Sequence, residues 1–136
     1  MKPHQYAFGS RRFAIVLGAL LPLVVAACAA MIDSSPVTYT PLATTTDAKL
    51  RGSLEIKLSP PYKRTLADGS RWRLVGKVPQ GNVYKPLDAP FSIEGRQVHE
   101  AYLVIAAGSL VGFYLPAEGG YSPLSGAIPI NIGDSQ

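Results

Sequence analysis

The sequence has 136 residues, which is enough for one compact domain with attached segments. Hydrophobic residues make up 47% of it and charged residues 16%, so the chain can form a hydrophobic core. The formal net charge is +4, but three of the thirteen basic residues and none of the nine acidic residues precede residue 28. The remaining chain carries ten basic and nine acidic side chains, which excludes a general attraction to nucleic acid.

The amino terminus has the features of an export signal. Lys2, Arg11 and Arg12 precede residues 13–27, an uncharged and mainly apolar stretch of 15 residues. Signal peptides contain apolar regions of about 7–15 residues, whereas a membrane-spanning helix needs about 20. The paired arginines resemble a twin-arginine signal, but Phe13 follows them directly and no lysine comes next, which favours general secretion. Residues 1–27 are therefore predicted to be a signal peptide.

The only cysteine of the chain, Cys28, stands at the end of this stretch. The sequence Val25-Ala26-Ala27-Cys28 resembles the lipobox of bacterial lipoprotein precursors, in which an aliphatic residue and two small residues precede a cysteine. The resemblance covers residues 1–28. It implies cleavage before Cys28, a diacylglyceryl group on the sulfur and a further acyl chain, such as palmitate, on the amine. The alternative is an ordinary signal peptide or membrane anchor with an incidental buried cysteine.

The same resemblance implies a cellular location. Two or three acyl chains would attach the protein durably to a membrane, because each buried methylene contributes about 0.8 kcal/mol. Ala29 follows the cysteine, where lipoproteins retained at the inner membrane of many Gram-negative bacteria carry aspartate. The resemblance therefore implies the periplasmic face of the outer membrane. In a Gram-positive source the site would be the outer face of the plasma membrane.

Residues 28–50 are predicted to be the lipidated cysteine and a flexible tether. The segment is rich in alanine, serine, threonine and proline and lacks a sustained helical or strand pattern. As a coil, residues 29–50 would have a root-mean-square reach of about 25 Å. The alternative for residues 37–42 is a short edge strand.

Residues 51–132 are predicted to form one small β domain, followed by a tail at residues 133–136. Hydrophobic residues alternate with polar ones, Gly and Pro separate the segments, and no helical period or internal repeat is apparent. This pattern favours an all-β fold, a small antiparallel barrel or sandwich. The predicted strands are residues 53–58, 71–79, 97–106, 110–115 and 127–132.

The chemistry-bearing residues of this domain do not suggest an enzyme. His99 is its only histidine, and Glu100, next to it on the same predicted strand, points to the opposite face. No metal site, cofactor or catalytic residue is predicted, since no Gly-x-Ser-x-Gly motif or phosphate-binding loop is present. A hydrolase that uses His99 is the remaining catalytic alternative.

Two regions are candidates for a binding surface. Tyr62, Lys63, Arg64, Arg71 and Arg73 combine cations with aromatic residues across a predicted hairpin. The alternative is a buried tryptophan between solvated arginines.

The second region is the hairpin of residues 97–115, which is apolar on both faces. Tyr102 and Phe113 would lie either in the core or at an interface with a partner. Together these features predict a structural or protein-binding role in the bacterial cell envelope, with an envelope protein and membrane lipid as partners. The chain could be an accessory subunit of a larger envelope complex. The alternative is a module that binds cell-wall glycan or lipid head groups.

Overall fold

The computed structural model describes Gly18 and residues 32–58, 61–95 and 97–135. The predicted signal peptide, its cleavage motif Val25-Ala26-Ala27 and the predicted lipid-attachment residue Cys28 lie outside the described residues. Within the described ranges the fold is all-β and every strand pairing is antiparallel, which confirms the predicted fold class. No helix in this part of the chain has the length and apolar character that a membrane crossing requires.

One eight-stranded sheet and two separate hairpins are formed by the described residues of the domain. The sheet has the order β1-β11-β10-β9-β6-β5-β2-β12, and β3 pairs with β4 and β7 with β8. The strands are β1 (Ser35–Pro36), β2 (Thr40–Leu50), β3 (Leu54–Lys57), β4 (Lys63–Leu66), β5 (Arg71–Val78), β6 (Gly81–Pro86), β7 (Ser92–Glu94), β8 (Val98–Glu100), β9 (Tyr102–Ala106), β10 (Ser109–Leu115), β11 (Gly120–Pro129) and β12 (Ile132–Asp134).

The sheet is strongly curled but is not closed into a barrel, since β1 and β12 remain at its edges. Pro129 pairs with β10 near one edge, whereas Ile132 pairs with β2 at the other. Three peptide units join these residues, so they lie at most about 11 Å apart. The sheet therefore bends far enough to bring its two edges close together at this end.

The main core fills the concave face of the sheet. Both small hairpins pack onto this face through Ile56, Leu66 and Ile93, which close the core over the sheet. The arrangement is sandwich-like, with β3–β4 and β7–β8 as an incomplete second layer. The sheet contributes its largest buried side chains from four strands, namely Leu50, Trp72, Leu103, Ile105, Leu110, Phe113 and Leu115.

A second, smaller apolar cluster lies on the other face of the sheet. Val83 of β6 and Val104 of β9 are paired and fully buried at its centre. Tyr39, in the segment that leads into β2, stacks on Tyr114 with ring centroids 4.9 Å apart. Strand β9 is thus apolar on both faces because both faces are covered, as the core interpretation predicts. The prediction of one strand over residues 97–106 is wrong, since Val98–Glu100 form β8 and pair with β7.

Strands β5 and β10 each contain a bulge, beyond which the side chains point to the opposite face from the one that simple alternation predicts. In β5 the pairing register shifts between Leu74 and Gly76, and in β10 it shifts between Leu110 and Gly112. Simple alternation assigns Gly76 to the same side as Trp72, but after the bulge it faces Tyr39 in the second cluster. The expected alternation of both strands is therefore wrong beyond each bulge, because a bulge adds one unpaired residue.

The two bulges share a repeated sequence and the same register. Each bulged strand contains Leu-Val-Gly, at residues 74–76 and 110–112, and its neighbour contains Tyr-Thr/Ser-Pro-Leu, at residues 39–42 and 121–124. Each proline pairs with the bulge glycine, and four residues of the neighbouring strand then have no partner before pairing resumes. The registers of these strands fit an approximate two-fold axis between β6 and β9, which relates β2, β5 and β6 to β11, β10 and β9. The matching strings occur in opposite order along the chain, so they do not form an internal repeat of the sequence.

The predicted tether is shorter than its sequence suggests. Residues 40–50 form β2, which pairs with β5 and β12, so the prediction of a flexible segment up to residue 50 is wrong for this part. Most side chains of β2 are exposed, which hides the alternation that marks a half-buried strand. The predicted strand at residues 127–132 covers the end of β11, which begins at Gly120, and the start of β12. Because β12 ends at Asp134, the predicted tail at residues 133–136 is also wrong for its first two residues.

Candidate functional site

The four cations predicted as a binding surface each lie beside a carboxylate. Their partners are Glu55 for Lys63, Glu94 for Arg64, Asp88 for Arg71 and Asp47 for Arg73. A cation that is already paired gives up part of its attraction for an outside anion. The geometry therefore weakens the case for a cationic surface that binds phosphate groups.

These cations also do not share one hairpin. Lys63 and Arg64 belong to β4, which pairs with β3, whereas Arg71 and Arg73 belong to β5, which pairs with β2 and β6. The predicted hairpin across residues 62–73 is therefore wrong. The turn at Asp68-Gly69 leads the chain from one layer to the other instead of joining paired strands.

Arg64 links the two small hairpins. Its Nε donates to the carbonyl oxygen of Ser92 at 2.8 Å, and its Nη2 donates to Ser92 Oγ at 2.9 Å. The guanidinium also lies 3.5 Å from Glu94 Oε1. The planar fork of arginine suits such a double contact, so Arg64 has a structural role between β4 and β7.

Arg71 and Arg73 hold neighbouring segments to β5. Arg71 donates to Asp88 from its backbone N–H and from Nε, each at 2.8 Å, and these bonds lower the pKa of the Asp88 carboxyl. Arg73 donates to Asp47 of β2 at 2.6 and 3.2 Å, which lowers the pKa of that carboxyl below its ordinary value. Both arginines therefore stabilise contacts within the domain.

The aromatic residues of this region differ in exposure. Trp72 is buried, packs edge-on against Phe91 and donates from Nε1 to Ser70 Oγ at 3.0 Å. The interpretation of Trp72 as a core residue is thus the one that the structure supports. Tyr62 is half-buried at the end of the β3–β4 hairpin.

Tyr102 and Phe113 lie on opposite faces of the sheet. Phe113 is only 1% exposed and belongs to the main core, so its inclusion in a binding surface was wrong. Tyr102 is half-buried in the second cluster, 6.3 Å from the ring of Tyr114. Burial, together with the neighbouring Glu100, raises the pKa of the Tyr102 hydroxyl, which therefore stays neutral at physiological pH.

His99 contacts a carboxylate that the sequence did not associate with it. Its Nδ1 lies at hydrogen-bonding distance from Glu118, in the turn between β10 and β11. Glu94 pairs instead with Arg64, and His99 is paired across the hairpin with Ile93. No group of three or more histidine, cysteine, aspartate or glutamate side chains suited to a metal ion occurs among the described residues. A His–Glu pair alone supplies a base and its orienting group but no nucleophile.

A cavity that sequence reasoning did not anticipate lies where the described chain begins. It measures about 430 Å³ and lies between the β3–β4 hairpin, β7 and β11. Ile32, Leu58 and Leu124 line it beside polar side chains that include Asp33 and Lys57. Its lining comes from segments far apart in the sequence, so no local pattern could reveal it.

Comparisons of the chain with protein-family models, curated protein sequences and solved structures found no match.

Proposed function

We propose that the protein is a bacterial envelope lipoprotein, anchored through acylated Cys28, whose β domain has a structural or protein-binding role. The observation that carries the anchor is the order of features before the domain: basic residues, a short apolar stretch and Val25-Ala26-Ala27-Cys28. Ala29 favours the periplasmic face of the outer membrane in a Gram-negative source.

A protein partner is favoured over a polyanion by the contacts of the cations. Lys63, Arg64, Arg71 and Arg73 are paired with carboxylates inside the domain. Tyr102 lies half-buried on the face of the sheet opposite the two hairpins, next to other aromatic and branched side chains. Partly exposed aromatic residues are frequent at protein interfaces.

Mass spectrometry of the intact protein extracted from membranes tests the anchor. We expect a chain that begins at Cys28 and carries the mass of two or three acyl groups. The matched variant Cys28→Ala should lose the acyl mass. An unmodified chain that still contains residues 1–27 would contradict the proposal.

Crosslinking in the native envelope tests the binding role. Tyr102→Glu should abolish crosslinks to a protein partner while the circular dichroism spectrum stays unchanged. Thr44→Glu, at an exposed position of β2, is the control and should keep the crosslinks. If Tyr102→Glu leaves every crosslink intact but reduces sedimentation with purified cell wall, the glycan-binding alternative replaces this proposal.

A further inference from the structure

The amino-terminal end of the described chain is fixed to one side of the domain. Ile32 is half-buried, packs against the main core and lines the 430 Å³ cavity. Three residues later, β1 pairs with the start of β11 through Ser35 and Pro36, and the Val37 N–H donates to Gly119 at 3.1 Å. The chain from Ile32 onward therefore follows the β11 edge of the sheet.

The distance from this point to the proposed lipid anchor is short. Only residues 29–31 separate Cys28 from Ile32, and four extended residue steps span at most about 14 Å. The sequence alone suggested a coil with a reach of about 25 Å. An acylated Cys28 lies at the interface between membrane and water, so Ile32 cannot move far from the lipid head groups.

The surface around Ile32 is suited to that environment. The lining of the cavity combines apolar Leu58 and Leu124 with charged Asp33, Lys57 and Glu94, and Glu94 is paired with Arg64. The head-group layer of a bilayer likewise mixes charged groups with apolar glyceryl and acyl segments. An ammonium group such as that of Lys57 can contact lipid phosphates while the leucines contact the glyceryl region.

We propose that the domain rests on the bilayer with the mouth of this cavity against the phospholipid head groups. This orientation rests on the proposed acylation of Cys28 and adds which face meets the membrane. The face that carries Tyr102 belongs to the opposite side of the sheet from the core, and this orientation leaves it available to a protein partner.

Site-specific fluorescence quenching tests the orientation. The variants Ser125→Cys and Gln80→Cys are each expressed as the full chain, extracted and labelled with a thiol-reactive fluorophore; acylated Cys28 cannot react. Ser125 lines the cavity and Gln80 lies in the β5–β6 turn, three strands from β11, and both are exposed. In phosphatidylethanolamine–phosphatidylglycerol vesicles that contain a head-group nitroxide lipid, we expect several-fold stronger quenching at Ser125.

The outcomes separate this inference from the proposed function. Equal quenching at the two positions in protein whose acyl mass is confirmed would overturn the orientation and leave the lipid anchor intact. Protein without acyl mass would overturn both. A variant with fifteen Gly and Ser residues inserted after Ala30 gains about 20 Å of reach and should lose the difference. If the difference in quenching between positions 125 and 80 persisted in this variant, the short connection through residues 29–31 would not be what orients the domain.

Discussion

Tyr39 and Tyr121 occupy equivalent positions at the two bulges of the sheet. The hydroxyl of Tyr39 donates to the carbonyl oxygen of Val75 at 3.1 Å, and that of Tyr121 donates to the carbonyl oxygen of Val111 at 3.0 Å. Each valine is the bulged residue, whose carbonyl lies outside the regular ladder of the sheet. The tyrosines therefore satisfy backbone groups that the bulges leave unpaired.

Removing either hydroxyl should destabilise the domain. Tyr39→Phe and Tyr121→Phe each leave a carbonyl oxygen without its donor, which costs about 1 kcal/mol of the free energy of unfolding. Urea denaturation followed by the fluorescence of Trp72 measures this change. Tyr62→Phe is the control and should have no effect, because no hydrogen bond of its hydroxyl is found within the described ranges. Equal stability of all three variants would show that water replaces the tyrosines.

The bulge glycines should not tolerate a side chain. A Cβ at Gly76 would lie 2.3 Å from the ring of Tyr39, and one at Gly112 would lie 2.5 Å from the carbonyl oxygen of Ser122. Gly76→Ala and Gly112→Ala should therefore each reduce the free energy of unfolding by about 1–3 kcal/mol. Gly126→Ala is the matched control, since a Cβ there has no neighbour within 4 Å.

A double-mutant cycle identifies the cause. Combining Gly76→Ala with Tyr39→Ala should cost less than the sum of the single changes, because the ring that clashes is absent. Gly112→Ala offers no such relief through Tyr39, which lies at the other bulge. If Tyr39→Ala were additive with Gly76→Ala, as it should be with Gly112→Ala, the proposed clash between Gly76 and the ring of Tyr39 would be contradicted.

The fold class could be predicted from the sequence because alternation and turn residues are local signals. Residues 53–58 alternate as β3 requires, and Ala107-Gly108 joins β9 to β10. The tertiary arrangement could not be predicted in the same way. Arg64 and Arg71 are close in sequence, yet their strands belong to different layers, which depends on how the sheet curls. The sequence shows Leu-Val-Gly twice, but that each copy forms a bulge depends on tertiary contacts with Tyr39 and Tyr121.

Arg64 should stabilise the β7–β8 hairpin more than the central sheet. Arg64→Lys removes the paired contacts to Ser92, so local opening of β7 should become easier by about 1.5 kcal/mol. Hydrogen exchange should accelerate at the amide of Ile93 and stay unchanged at Val104. Lys63→Gln breaks only an exposed pair with a 4.0 Å contact and should leave both rates unchanged. A uniform acceleration would show that the hairpin opens only with the whole domain.

Acid should weaken the domain through Asp47 and Asp88. Arg73 lowers the pKa of Asp47, and the backbone and side chain of Arg71 lower that of Asp88, from an ordinary value of 3.8. A carboxyl whose pKa is lower in the folded state contributes stability above its ordinary pKa, and this contribution is lost as the pH falls through the folded value.

Denaturation at a series of pH values tests this expectation. The free energy of unfolding should fall as the pH decreases from about 5 to below 3.8. Asp47→Asn should make this decline shallower, because one proton fewer is taken up on unfolding. Asp33→Asn is the control, since no ion pair of Asp33 occurs in the described part of the chain. An unchanged slope in Asp47→Asn would contradict the assignment.

The turn between β9 and β10 contains a residue with a strained backbone conformation, and a substitution can relieve this strain. Ala107 and Gly108 have φ values of 50° and 74°, as in a two-residue turn with both central residues left-handed. Alanine rarely adopts this conformation, whereas asparagine and glycine do so at lower cost. Ala107→Asn should therefore raise the free energy of unfolding by about 0.5–1 kcal/mol. Ala117→Asn, at an exposed turn residue without positive φ, should give no gain, and a gain of equal size there would show that strain at Ala107 is not the cause.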